Sequence, residues 1–111
     1  MNYNGKKFRP ISGSDNSETT QETIFEYHQT DQILSADYSG GNIVKGQLIG
    51  LVADNGTIEM RYQQINVNNE LMTGKCTSVP ETMGNGKLRL HETWVWTSGD
   101  RSKGQSILEE I

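Results

Sequence analysis

Ile43-Val44-Lys45-Gly46-Gln47-Leu48-Ile49-Gly50-Leu51-Val52-Ala53, then Asp54-Asn55-Gly56, then Thr57-Ile58-Glu59-Met60-Arg61-Tyr62-Gln63-Gln64-Ile65-Asn66-Val67: the reading of this stretch decides the fold. The first run is apolar and of strand length. The second is a hairpin signal, because Asn-Gly suits the two left-handed positions of a type I′ turn. The third alternates with a period of two, so Ile58, Met60, Tyr62, Gln64 and Asn66 share one face, and Glu59, Arg61, Gln63 and Ile65 share the other. The first set is expected to face inward.

The same period extends in both directions from this hairpin. Upstream, strands are expected at about residues 6–11, 23–29 and 33–39. Pro10 lacks a ladder donor and so favours an edge or a bulge. Phe25 and Tyr27 share a face of the second strand, and Leu34, Ala36 and Tyr38 share a face of the third. Between the first two strands, residues 13–22 offer almost nothing to bury and form the expected flexible polar loop, a candidate flap over one end of the domain. Downstream, Met72, Gly74, Cys76 and Ser78 share a face of a strand over 71–79 that Pro80 is expected to end. Leu88, Leu90, Glu92, Trp94 and Trp96 mark the clearest strand, over 88–96. Residues 104–111 read as an eighth strand, although Ser106 and Glu109 also have capping-box spacing. Every connection except 13–22 is too short for a crossover helix, so neighbours must pair antiparallel. The expected fold class is all-β: a single domain over residues 1–111, an antiparallel up-and-down meander of about eight strands forming a small closed or nearly closed barrel. Closure would remove exposed strand edges.

Composition narrows the function classes. The chain of 111 residues is 32% hydrophobic, with a mean hydropathy of −0.67, which suits one core with a partly polar interior. Ten basic and fourteen acidic residues, net −4, are mixed along the chain. Without a basic stripe, no nucleic-acid partner is expected. No apolar run approaches the ~18 residues of a membrane span, so no membrane partner is expected either. Cys76 is the single cysteine, and Met1 to Lys7 lacks the apolar stretch of a signal peptide. Together these point to a soluble cytoplasmic protein, monomer or homodimer.

The expected inward face holds more polar atoms than a filled core needs. Phe25, Tyr27, Tyr38, Tyr62, Gln64, Cys76, Glu92, Trp94 and Trp96 are the candidate ligand-binding residues of a lumen. Glu92 is the most informative. An ionised carboxylate between Leu90 and Trp94 costs several kcal/mol, roughly, unless it is paired or hydrogen-bonded. Its satisfaction comes either from a ligand or from a closed network with tyrosine, glutamine or Arg61. Trp94 and Trp96 either stack a planar ligand or simply fill a small barrel. Cys76 has no histidine at a usable spacing, and His28 and His91 fall on polar faces. No catalytic residue, metal site or cofactor is therefore assigned. Thr97-Ser98-Gly99-Asp100-Arg101-Ser102 is a hairpin turn, or a backbone nest for an anion. Arg101-Ser102-Lys103-Gly104-Gln105-Ser106 approximates the loop with which acetyltransferases hold the coenzyme A pyrophosphate at a helix N-terminus, but it ends in serine.

Ile43 to Gly50, Met60-Arg61-Tyr62-Gln63-Gln64 and Leu90 to Asp100 together resemble a family of small bacterial β-barrel proteins often labelled N-acetylglutamate synthase. The resemblance covers nearly the whole chain and implies a fold like the streptavidin and lipocalin (calycin) group. It brings no catalytic residues. The residues themselves favour a binding module for a small-molecule ligand in the lumen. The alternatives are an acetyltransferase acting on glutamate, as that label implies, and a structural or interaction protein.

Overall fold

A computed structural model describes residues 1–111. Eight strands follow in chain order: β1 (Lys7–Gly13), β2 (Ile24–Thr30), β3 (Ile33–Gly40), β4 (Ile43–Val52), β5 (Ile58–Asn66), β6 (Leu71–Thr82), β7 (Leu88–Trp96) and β8 (Lys103–Glu110). Each pairs antiparallel with its neighbours in sequence, and β1 pairs with β8 to close the barrel. The closed meander is the expected fold, and the segment after Gly104 is a strand, not a helix. Closure also explains Pro10. The β1–β8 register shifts between Pro10 and Ser12, so the residue without an N–H sits at a bulge inside the closed ladder.

Period-two alternation delivers the expected inward faces. Phe25 and Tyr27, Leu34, Ala36 and Tyr38, Ile58 and Met60, and Leu88, Leu90, Trp94 and Trp96 are all buried. The interior divides along the barrel axis. At the end where β2 turns into β3 and β4 into β5, Phe8, Leu34, Val52, Ile58, Leu90 and Leu108 make an apolar plug. Tyr3 completes it from the N-terminal segment, fully buried, its hydroxyl donating to Gly56 O at 2.6 Å. Nothing in the alternation marks Tyr3, because it lies before the first strand. At the opposite end, the mouth, the interior is aromatic and polar.

Close backbone approach shapes this upper half. Tyr38 lies across from Gly46, Tyr62 from Gly74 and Trp94 from Gly104 on adjacent strands. Each ring lies over its glycine so closely that a Cβ there would overlap it. The glycines let large side chains lie along the wall instead of crossing the lumen, which leaves room inside.

Two local expectations fail. Strand β6 runs through Pro80 to Thr82, paired with β7 throughout. Pairing with β5 stops at Ser78, so beyond it one side of β6 needs no donor and proline interrupts nothing. The Asp54-Asn55-Gly56 turn is not type I′, because Gly56 but not Asn55 has a positive φ. Gly56 N donates to Ala53 O and Ala53 N to Thr57 O, a type I turn followed by a left-handed bulge residue. The same pattern recurs with Gly86 after Met83 and with Asn69 after Asn66.

Candidate functional site

The polar segment between β1 and β2 folds across the mouth. Ser14 N donates to Gln105 O at 2.9 Å, and Asn16 Nδ2 donates to Ser102 Oγ at 2.7 Å and Lys103 O at 2.9 Å. From this anchored stretch Glu18 reaches inward. Its carboxylate accepts from Gln64 Nε2 and from Asn66 Nδ2, both at 2.8 Å. Alternation puts Gln64 and Asn66 on the inner face at the top of β5, and the segment satisfies their buried amides.

Beneath this cover lies a cavity of about 50 Å³. Of the expected ligand-binding residues, Phe25, Tyr38, Tyr62, Gln64, Cys76, Glu92, Trp94 and Trp96 all line it. Tyr27 does not. It is enclosed below the cavity, its ring 4.9 Å from Phe8 and 6.0 Å from Tyr3. Ser17, Glu18 and Thr19 of the covering segment, with Leu48, Met60 and Ser106, complete the wall. Alternation alone finds Leu48 and Ser106 only once the register of β4 and β8 is known, and the covering segment has no period to read. A larger groove of about 570 Å³ crosses the outer face over Ser35, Gln47, Arg61 and Thr73. It is an open polar saddle of the sheet, without convergent chemistry.

Glu92 sits in the middle of the barrel wall, with Ser78 directly across on β6 and Ser106 directly across on β8. Its side chain is half-buried and opens toward the cavity. Arg61 is no partner: it points outward and donates to the carbonyl of Met60. None of the four ion pairs of the protein involves Glu92. Burial pushes its carboxyl up to about 7, and the nearby Ser78 hydroxyl offsets this only in part. The Ser78 and Tyr27 hydroxyls are enclosed and make no well-formed hydrogen bond. The closed network that would satisfy Glu92 internally is therefore not formed.

Most other polar groups of the wall are engaged. Trp94 Nε1 donates to Ser106 Oγ at 2.9 Å, Trp96 Nε1 to Asn16 O at 3.1 Å, and Tyr38 Oη to Gln64 Oε1 at 2.7 Å. Phe25 stacks on Tyr38 at 4.4 Å, while Trp96 meets Tyr62 and Trp94 edge to face at 5.7 and 5.5 Å. Burial, with Glu92 adding to it, pushes the Cys76 thiol well above its ordinary range, so it is held as a neutral thiol.

The acetyltransferase-like stretch has no helix to serve. Thr97 to Ser102 forms the β7–β8 connection, with Gly99 and Arg101 at positive φ, and Lys103 to Ser106 belongs to β8. A pyrophosphate would find neither a helix N-terminus nor its dipole.

Comparison with known proteins returns one family, described as avidin-like protein, whose model matches residues 1–111. No curated protein and no solved structure matches the chain. The family found is a streptavidin-like one, which agrees with the fold that the resemblance in the sequence implied. The N-acetylglutamate synthase label finds no support in it.

Proposed function

Because the chain belongs to the avidin-like protein family, we propose that it is a binding protein that takes a small molecule into the mouth half of its barrel. The observation that carries this reading is the contrast between the two halves. One end is packed solid with apolar side chains, while the other keeps a cavity walled by aromatic rings and a carboxylate without a cationic partner. A barrel that only needed a core would have filled both ends alike. Small-molecule sites combine apolar and aromatic walls with a few convergent polar groups, as here.

The segment over the mouth is the entrance. The cavity of about 50 Å³ has room for a few waters, whereas pockets for drug-sized ligands enclose ~300–1,000 Å³. Any larger ligand enters by displacing Ser17, Glu18 and Thr19, which are part of the wall and leave without disturbing a strand. Native mass spectrometry of the protein purified from its own host tests the reading. A co-purified small molecule, lost when Trp94 and Trp96 are both changed to alanine, supports it. A bare chain that also fails to bind any member of a small-molecule library, biotin included, overturns it.

A second reading, association between copies, is favoured by the outer face of β3 and β4. Ile33 is directly across from Leu51, and Ile49 lies two residues along, all three exposed. The two readings are compatible, since one concerns the lumen and the other the outside of the sheet.

A further inference from the structure

The chemical class of the ligand follows from the charges and donors of the cavity wall. Glu18 and Glu92 line it, and no lysine, arginine or histidine does. The ion pairs of the protein, such as Lys6–Glu110 and Arg89–Glu109, all lie elsewhere. The rings of Tyr62, Trp94 and Trp96 share the cavity wall with Glu92, and aromatic faces attract positive charge. Both indole N–H groups and the Gln64 amide are already committed, to Ser106, Asn16 and Glu18. An anion entering here would meet two carboxylates, no cation and few free donors. A cation would gain both a half-buried carboxylate and aromatic faces.

We infer that the lumen is a binding site for a small organic cation, a protonated amine, methylated ammonium or guanidinium-type group, seated between the Glu92 carboxylate and the rings of Tyr62, Trp94 and Trp96. This rests on the lumen-binding reading above and adds the class of ligand to it. Size agrees. Each water needs on the order of 10–15 Å³ of such space, so about 50 Å³ accepts a group of a few heavy atoms with the mouth closed. A longer molecule places its cationic head there and its remainder under a displaced Glu18.

Binding is coupled to a proton. In the empty cavity burial holds Glu92 near neutrality, and a bound cation favours its ionised form, so the cation releases a proton around neutral pH. The titratable groups facing Glu92 are Tyr27 from β2, Tyr38 from β3, Tyr62 from β5 and Cys76 from β6, with Glu18 at the mouth. Burial pushes the three phenols and the thiol upward, so all four stay neutral through this range.

Guanidinium and urea share shape and size but differ in charge, which makes them the decisive pair. The indole N–H signals of Trp94 and Trp96 are followed by NMR while millimolar guanidinium, methylammonium or urea is added at constant ionic strength, with sodium as the ionic control. Saturable shifts with guanidinium or methylammonium, at least about tenfold tighter at pH 8 than at pH 5.5 and at least tenfold weaker in Glu92→Gln, are the expected result. Calorimetry of the unaltered protein in two buffers of different ionisation enthalpy should show proton release at pH 7, a measurement independent of how the variant folds. Equal binding of urea overturns the cation class and leaves lumen binding standing. No saturable shift with either cation overturns the class as well, and the fate of lumen binding is then decided by the native mass spectrometry alone.

Discussion

Glu18 Oε1 accepts from Gln64 Nε2 at 2.8 Å across 46 positions of chain, fastening the long β1–β2 connection to the inner face of β5. Its second oxygen accepts from Asn66 at the same distance. A charged hydrogen bond between partly buried groups contributes about 1.5–3 kcal/mol, enough to hold a surface segment closed yet small enough for a ligand to offset. Glu18→Ala should therefore open the mouth with only a modest loss of stability. Cys76, the single cysteine, reports the opening because it lines the cavity. Its modification by a small neutral thiol reagent should accelerate severalfold in Glu18→Ala, and acrylamide should quench tryptophan fluorescence more strongly. Unchanged rates in both assays would show that the segment does not gate the lumen.

Glu92 sets a pH dependence of stability whose sign is fixed by its raised carboxyl. Folding shifts it from 4.5 to about 7, so between these values the folded state binds more protons than the unfolded chain, and stability falls as pH rises. The contribution is fully present below about 4.5 and lost by the time pH has passed about 7. A shift of this size corresponds to at most on the order of 3 kcal/mol. Thermal melts of the unaltered protein and of Glu92→Gln at pH 5 and pH 8 check it. The variant should gain relative stability at pH 8, and a difference independent of pH would sink the account.

The three ring-over-glycine contacts predict a distinct pattern of alanine substitutions. Gly46→Ala, Gly74→Ala and Gly104→Ala each force a Cβ into the ring of Tyr38, Tyr62 or Trp94. Overpacking of this kind costs about 1–3 kcal/mol. Gly84, in the β6–β7 turn, has open space around it and serves as the control, where alanine should change stability by less than ~0.5 kcal/mol. Denaturant melts of the four variants measure this, and an equal cost at Gly84 would mean that the rings are not what the glycines accommodate.

Ile33, Ile49 and Leu51 make a continuous apolar patch on the outside of β3 and β4. Light scattering over a dilution series should show association at high protein concentration, abolished in Ile49→Lys combined with Leu51→Lys. The lumen is on the other side of the sheet, so ligand binding by that double variant should be unaffected. A species that stays monomeric at millimolar concentration would remove the second reading.

Much of the site was legible along the chain because a strand reports its inner face every second residue. Phe25, Tyr38, Tyr62, Gln64, Cys76, Glu92, Trp94 and Trp96 come from five strands, and alternation placed each one inward before any pairing was known. Tyr27 has the right parity but the wrong height. Position along the barrel axis depends on strand tilt and register, which the alternation of a single strand does not carry. Tyr3 escaped for a different reason, since a residue outside any strand has no period to betray its burial. Pro80 misled because a missing N–H breaks a strand only where a neighbour needs that donor, and β5 has already ended there.

What the sequence by itself determined is the meander: short turns between alternating runs leave antiparallel neighbours as the only pairing. It also determined that a carboxylate and two tryptophans share one face of β7, since parity is local. The tertiary structure alone decided that β1 meets β8 across a bulge, that the covering segment brings Glu18 to Gln64 and Asn66, and that Glu92 lies between Ser78 and Ser106 with no cation in reach. These depend on closure, which pairs residues up to 102 positions apart, Phe8 with Glu110. A period of two carries no information about which distant strand arrives opposite.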